Sequence, residues 1–285
     1  MSLRVTALTG SALVQDTGRP GRTGLGVTPS GSFDRNAARQ ANVLLGNPPD
    51  AAVLEVVGSV TVRATRATAV AVTGAPGPVQ CEGIPVDTGQ VLLLQDGDEL
   101  TVGPPALGVR RVLAVAGGLT PDPVLGSRAT DTLSGLGPAP VTVGTLLPVG
   151  LRTGHPVTTR IETGVLGVGD LTVRLVLGPR DDWFTPEAVS MLLGTGWTVS
   201  PRSDRIGVRL DGPSLERAVA GELESEPVVR GSVQVTTAGL PVVLGPDHPV
   251  TGGYPVIGVV VDADTDLLAQ AAPGRRVRFR RHPAP

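Results

Sequence analysis

Hydrophobic positions along the chain fall mostly in short runs and alternations, not at helical spacing. Val53-Leu-Glu-Val-Val57, Val60-Thr-Val62, Thr68-Ala-Val-Ala-Val72, Val91-Leu-Leu-Leu94 and Leu100-Thr-Val102 follow one another. Turns such as Gln95-Asp-Gly-Asp98 separate them. Runs of this length bounded by turn residues read as strands. Arg111 to Gly118 is a further buried strand that ends in a flexible glycine pair. In the second half, Leu171 to Leu177 alternates and then runs apolar, as an entering strand does. Val208 to Leu210, Leu240 to Leu244 and Val256 to Val261 are strand-like, and Arg276-Val-Arg-Phe-Arg280 alternates.

Helical spacing is rarer. Phe33, Ala37, Ala41 and Leu44 form one apolar stripe, with Ser32 as N-cap, Asp34 in the first turn and Gly46 as the stop. A second short helix starts at Thr185-Pro186 and closes at Gly194. Asp264 is placed to cap a third, through Leu267, Leu268 and Gln270. The expected fold is therefore mainly β with a few short helices. The Gly- and Pro-rich stretch from Gly135 to Pro156 marks a domain boundary, and His155 falls within it. This gives a β-rich N-terminal domain over 1–155 and a second domain over 156–285.

Composition excludes several function classes. The formal net charge is −2, charged residues are 18% and aromatics 2%. A nucleic-acid surface needs a clustered basic field and, for single strands, stacking aromatics, so nucleic acid is not an expected partner. The basic residues are all arginine, and the chain has no lysine. That removes a Walker-type phosphate loop, a Schiff-base lysine and the Ser-Ser-Lys system of amidase-signature enzymes. The single Cys81 leaves no disulfide framework and no thiolate zinc site, and no metal is expected. Met1 to Gln15 lacks a long apolar stretch and no later run reaches membrane-spanning length, so the expected location is cytoplasmic, with no membrane partner.

Candidate chemistry concentrates in a few loops. Leu244-Gly-Pro-Asp-His-Pro-Val-Thr-Gly-Gly-Tyr-Pro-Val-Ile257 brings Asp247, His248, Thr251, Gly252, Gly253 and Tyr254, the one tyrosine, between two apolar runs. Such strand ends are where binding groups gather. Ser200 to Leu210 crowds Arg202, Ser203, Asp204, Arg205 and Arg209, either as a solvated hairpin face or as a site approached closely at Gly207. Gln234 lies inside a β-run and needs partners if buried. In the first half, Gln15, Asp16 and Arg19 surround a turn at Gly18 to Gly21. Arg19 offers a planar fork for a carboxylate, amide or phosphate, or it pairs with Asp16 and staples the turn. Ser30, Gly31, Asp34 and Asn42 either line a pocket or are solvated. Arg128, in Gly126-Ser-Arg-Ala-Thr130, is a candidate for anion contact.

In this order, these motifs are similar to one family. They run through Gln15-Asp16, Gly18-Arg19, Gly21, Ser30-Gly31, Asp34, Ala41-Asn42, Gly46-Asn47, Gly117-Gly118 and Gly126-Ser-Arg128. They continue through Ser203-Asp-Arg205, Gly207, Arg209-Leu210, Gly231, Gln234, Asp247-His248, Thr251-Gly-Gly-Tyr-Pro255, Gln270 and Pro273-Gly274. The set resembles the carboxyltransferase subdomain A/B family, also called allophanate hydrolase subunit 2. That family includes the C subunit of 5-oxoprolinase (KipA-like proteins) and part of the urea carboxylase carboxyltransferase domain. The chain departs from it at Pro249-Val250, where the family has Gln-Thr, and at Ala139-Pro140, where it has Gly-Arg.

The resemblance implies a β-rich N-terminal domain and a C-terminal cyclophilin-like β-barrel. It implies a subunit of an enzyme acting on a small lactam or urea-type amide, not active alone. The partner would be a homologue of the 5-oxoprolinase B subunit (allophanate hydrolase subunit 1, KipI-like), joined by a third 5-oxoprolinase subunit where lactam opening is the reaction. ATP would act through the complex; biotin would serve the alternative, carboxyl transfer to a urea-type nitrogen. A reading of another class is a non-catalytic regulatory binding subunit, KipA-like. On the enzymatic reading, Arg205 and Arg209 hold a carboxylate or a developing oxyanion, and Asp204 or His248 orients them or moves protons. Asp247 fixes His248. Gln15, Asp16, Arg19, Ser30, Asp34, Asn42, Ser203, Gln234, Thr251, Gly252, Gly253 and Tyr254 bind substrate.

Overall fold

A computed structural model describes residues 2–152, 154–157, 160–162 and 167–283. The chain divides into two compact units, Met1–Arg19 with Ser30–Leu166, and Pro20–Pro29 with Gly167–Pro285.

The first unit is built on a nine-stranded sheet. Its elements are β1 (Ser2–Gln15), α1 (Arg35–Leu45), β2 (Val53–Ala64), β3 (Thr68–Gly74), β4 (Val79–Cys81), β5 (Ile84–Pro85), β6 (Val91–Leu94), β7 (Glu99–Val102), β8 (Arg110–Val115) and β9 (Leu146–Pro148). The order is β5-β4-β7-β2-β8-β3-β6, with β1 paired to β2 and β9. β1 and β2 run antiparallel along nearly their whole length, from Leu3 opposite Ala64 to Gln15 opposite Val53. One face buries Leu3, Val5, Val14, Leu54, Val56, Val62, Val70 and Leu113 in a single aliphatic core. On the other side α1 lays Ala37, Ala41, Leu44 and Leu45 against Val53, Ala71, Val112 and Ala114.

The helix start differs from the sequence reading. Asp34, not Ser32, is the N-cap of α1, and its carboxylate accepts from the Ala37 amide at 2.8 Å. The reason is upstream: the Ser32 amide donates to the Asp16 carbonyl at 2.9 Å, and the Phe33 amide donates to Glu55 at 2.8 Å. Those bonds hold the chain out of the helix until Asp34. Gly46 ends the helix with φ 67°.

The second unit is a closed seven-stranded barrel. It comprises β10 (Leu171–Leu177), α2 (Pro186–Gly194), β11 (Trp197–Val199), β12 (Gly207–Asp211), β13 (Glu226–Pro227), β14 (Ser232–Val235), β15 (Pro241–Leu244), β16 (Thr251–Gly252), β17 (Val256–Val260), α3 (Thr265–Leu268) and β18 (Arg276–Arg281). The barrel order is β10-β17-β14-β15-β12-β11-β18, and a parallel β10–β18 pairing closes it. Val173, Leu175, Trp197, Val208, Val233, Val243, Val277 and Phe279 are all at most 2% exposed and supply the filling. α2 starts as read, with Thr185 accepting from the Ala188 amide at 3.1 Å. At α3, Asp264 makes no side-chain cap bond. Its carboxylate instead takes three donors from Arg174, the backbone amide at 2.7 Å, Nε at 2.9 Å and Nη2 at 2.7 Å.

Candidate functional site

The apolar runs flanking the 244–257 loop are β15 and β17, and they do not pair as a hairpin. β14 stands between them, so the loop crosses over the end of β14. On the way it forms β16, which pairs with β13 through Glu226–Gly252 and Pro227–Thr251. Arg180 grips Glu226 with two guanidinium nitrogens and ties that small ribbon down.

Beneath the loop lies a buried ion pair. Arg205 donates from Nε to Asp247 Oδ2 at 2.9 Å and from Nη2 to Asp247 Oδ1 at 3.0 Å. The two side chains are 7% and 0% exposed. The backbone closes the same junction, the Asp247 amide donating to the Arg205 carbonyl at 3.1 Å. The fork expected to stabilise an oxyanion is therefore engaged with a carboxylate that anchors the loop. His248 is 3% exposed, with Nδ1 2.7 Å from the Pro249 carbonyl. A carbonyl only accepts, so Nδ1 carries the proton and the neutral ring's acceptor is Nε2.

Of the other predicted groups of this unit, Asp204, Arg209, Thr251, Gly253 and Tyr254 are exposed. Asp204 is exposed, and its Oδ1 accepts from the Ile206 and Gly207 amides at 2.8 and 3.0 Å, a turn-forming role. Ser203 Oγ donates to the Ser200 carbonyl at 2.8 Å and accepts from the Arg209 amide at 3.0 Å. Arg209 alternates with the buried Val208 and Leu210, so its side chain points to solvent. On the same outer face Gln234 is 6% exposed and donates to the Tyr254 carbonyl at 3.1 Å. A Cβ on Gly252 would sit 2.3 Å from Gln234 Nε2, which is why glycine stands there. Thr251 and Gly253 are exposed, and Tyr254 is 42% exposed. The structure thus separates a buried Arg205–Asp247 support with His248 from the loop Thr251, Gly252, Gly253 and Tyr254, under which Gln234 is buried.

The first unit gathers a second cluster at the end of β1. Asp16 and Arg19 do not pair. Both reach across to the segment 124–130 and strap it down. Asp16 Oδ1 accepts from the Gly18 amide and Ser127 Oγ, both at 2.7 Å, and Oδ2 accepts from the Arg128 amide at 2.6 Å. Arg19 Nη2 donates to the Ala129 carbonyl and Nε to the Val124 carbonyl at 3.4 Å. Gln15 Nε2 donates to the Thr130 carbonyl at 2.8 Å, and Ser30 Oγ reaches the same oxygen at 3.4 Å. Ser30 has φ 54° and Gly31 φ 89°. A Cβ on Gly31 would meet the Gly18 nitrogen at 2.8 Å, so the two turns are in direct backbone contact. Asp16 also walls a cavity of about 190 Å³, together with Thr17, Ser32, Arg35, Ala38 and Arg39.

Asp34 and Asn42 have structural tasks. Asp34 is the helix cap. Asn42 donates to the Ala51 carbonyl at 2.8 Å and accepts from Asn47 at 3.1 Å. Sequence reasoning missed Glu55, which is 3% exposed within a valine-rich strand, and its ion pair with Arg110 at 3.3 Å. Arg110 also lies 4.3 Å from the centroid of the Phe33 ring. A carboxylate in an otherwise apolar run was the available signal. Among the described residues, no group of three or more His, Cys, Asp or Glu could hold a metal ion, and no helix is long and apolar enough to cross a membrane.

Comparison with known proteins places these features. The 5-oxoprolinase C subunit from Escherichia coli (strain K12) is 36% identical over 271 residues, covering 93% of this chain and 86% of that protein. The crystal structure of TTHA0988 superposes with a TM-score of 0.89 at 35% identity, over 98% of this chain and 55% of that one. The K. lactis urea amidolyase structure gives 0.90 at 25% identity, over 98% of this chain and 18% of that one. This chain therefore spans about half the length of the first structure and a smaller part of the second. Residues 25–281 match the family described as carboxyltransferase domain, subdomain A and B, and the chain belongs to that family.

Proposed function

We propose that this chain is a subunit of a multi-subunit enzyme acting on a small lactam or urea-type amide, in the manner of the 5-oxoprolinase C subunit. The observation that carries the reading is the 36% identity to that protein over 93% of the chain. The site geometry is in keeping with a component: Arg205 and Asp247 support a loop, and the exposed groups Arg209, Thr251 and Tyr254 are open to a further surface. On this reading the partner is a homologue of the 5-oxoprolinase B subunit, with a third 5-oxoprolinase subunit. ATP is bound elsewhere in the complex, since the chain has no lysine for a Walker-type loop.

A second reading draws on the TM-score of 0.90 to urea amidolyase and on the family's description. The complex would then move a carboxyl group from biotin to a urea-type nitrogen. One experiment separates the two. The chain is co-expressed with its B-type partner and the third subunit, and the purified complex is assayed with 5-oxoproline plus ATP and with urea plus carboxybiotin. Glutamate formation by the complex, and not by the chain alone, is expected. Turnover of the second pair only would favour carboxyl transfer. A stable complex inert in both would point to a regulatory subunit.

A further inference from the structure

We propose that the groove at the end of β6, in the first unit, docks an extended aliphatic segment with acidic side chains, presented by the partner subunit. The identity of that partner rests on the functional reading above; the chemistry it must present rests on the groove.

β6 is the last strand of its sheet, and among the described residues it pairs with β3 alone. The two ends of the sheet are built differently. β5, at the far end, is two residues long and contains Pro85. A short strand with a proline is a blunted edge. β6 reads Val91-Leu-Leu-Leu94, with neither charge nor proline. An edge of this kind invites pairing by another chain. The Ile161 amide donates to the Gly89 carbonyl at 2.8 Å, just ahead of the strand.

Where β6 ends, a cavity of about 550 Å³ is lined by Ala69, Leu94, Ala116 and Val149, all at most 9% exposed. Leu93 and Leu151 line the same cavity and are 71% and 88% exposed. Leu93 shares a face with Val91, which packs into the core beneath α1, yet Leu93 is left uncovered. Single exposed leucines are common on protein surfaces, but two at one aliphatic groove beside an unguarded edge make an interaction patch.

The charge at the groove narrows the occupant. Arg66 and Arg152 line it and are exposed, and no Asp or Glu does. Arg66 has no hydrogen-bond or ion-pair partner among the described residues, and Arg152 donates from Nε to the Gly154 carbonyl at 2.8 Å. A chain of net charge −2 thus shows two uncompensated positive charges at one place. The cavity of similar volume in the second unit differs, since its arginine, Arg230, is paired with Asp266 at 3.1 Å. A small anion would answer Arg66 and Arg152 and leave both leucines in water. A second copy docked groove to groove would set these arginines against their own kind. A partner segment with aliphatic and acidic side chains meets both demands.

The test is the affinity of the chain for the homologue of the 5-oxoprolinase B subunit, read by biolayer interferometry. Leu93→Asp and Leu151→Asp should each weaken it roughly tenfold or more, the loss expected at an interface anchor. Arg66→Glu with Arg152→Glu should weaken it by a similar factor, chiefly through slower association, and should remove the acceleration at low salt. Ile84→Asp, on β5 and 67% exposed, should change nothing. Should Leu93→Asp lower the melting temperature, Arg66→Glu decides, because that side chain holds no bond in the fold. Unchanged affinity in the leucine and arginine variants, or an equal loss in Ile84→Asp, overturns the groove and leaves the functional reading standing. A parental chain that does not bind the homologue overturns both. A dimer of the chain alone, seen by light scattering and dissociated by Leu93→Asp, would give the groove to a second copy and overturn the proposal.

Discussion

Arg205→Ala should destabilise the barrel before it tells anything about catalysis. The perturbation removes a bidentate partner, at 2.9 and 3.0 Å, from a carboxylate whose side chain is 0% exposed. Breaking a buried pair by removing one member leaves an uncompensated charge and costs about 3–5 kcal/mol. The loss is local to the second unit, and both tryptophans, Trp183 and Trp197, lie in that unit. Urea unfolding followed by tryptophan fluorescence therefore reads the relevant transition. Asp247→Ala should cost a similar amount, and the apolar double variant Arg205→Met with Asp247→Leu should recover most of it, because it leaves no charge behind. A loss below about 1 kcal/mol in Arg205→Ala, or a double variant worse than either single one, would refute the assignment of the pair as a buried support. A variant of parental stability with abolished turnover would restore Arg205 to the role of a free oxyanion donor.

Four further outcomes are expected. Arg209→Ala, on the solvent side of β12, should change stability by less than about 0.5 kcal/mol; a fall in turnover of the complex would then place it in the site. Asp34→Ala should cost about 1 kcal/mol through loss of the α1 cap, read by thermal unfolding, and an unchanged midpoint would contradict the capping geometry. Gly252→Ala should lose roughly 1–3 kcal/mol by driving a methyl into Gln234, and Gln234→Ala in the same chain should relieve it. The Arg174 side-chain hydrogen bonds, against an opposing effect of burial, hold Asp264 below the usual carboxylate value of 3.8. The stabilisation is thus present above that value and is lost as pH falls through the lower folded one, so Asp264→Asn should flatten the acid limb of a stability–pH curve, and identical limbs would exclude the linkage.

What the sequence disclosed depended on how far apart the partners lie along the chain. Strands β2, β3, β6, β7, β10 and β15 stood out because alternation and turn residues are local signals. So did α2, whose start is set by Thr185 accepting from the Ala188 amide three residues on, with Pro186 at the first turn. The start of α1 was misplaced by two residues because the Ser32 amide is taken by Asp16, a contact across a turn that no capping rule registers. Asp264 was read as a cap for the same reason: its partner Arg174 is 90 residues distant.

The candidate site divides along the same line. Arg205 and Asp247 in polar loops and Gln234 inside a β-run were legible as unusual positions, and the fold buries and bonds each of them. Which group each one serves was not readable. Asp247 is separated from Arg205 by 42 residues, and they meet only because β12 pairs with β15 in the barrel. Arg19 and Ala129 are 110 residues apart. In the sequence Asp16 and Arg19 look like a pair three residues apart. In the fold each prefers the strap: Asp16 takes its hydroxyl and backbone donors, and Arg19 takes its carbonyls. That exchange leaves the arginine without a counter-charge.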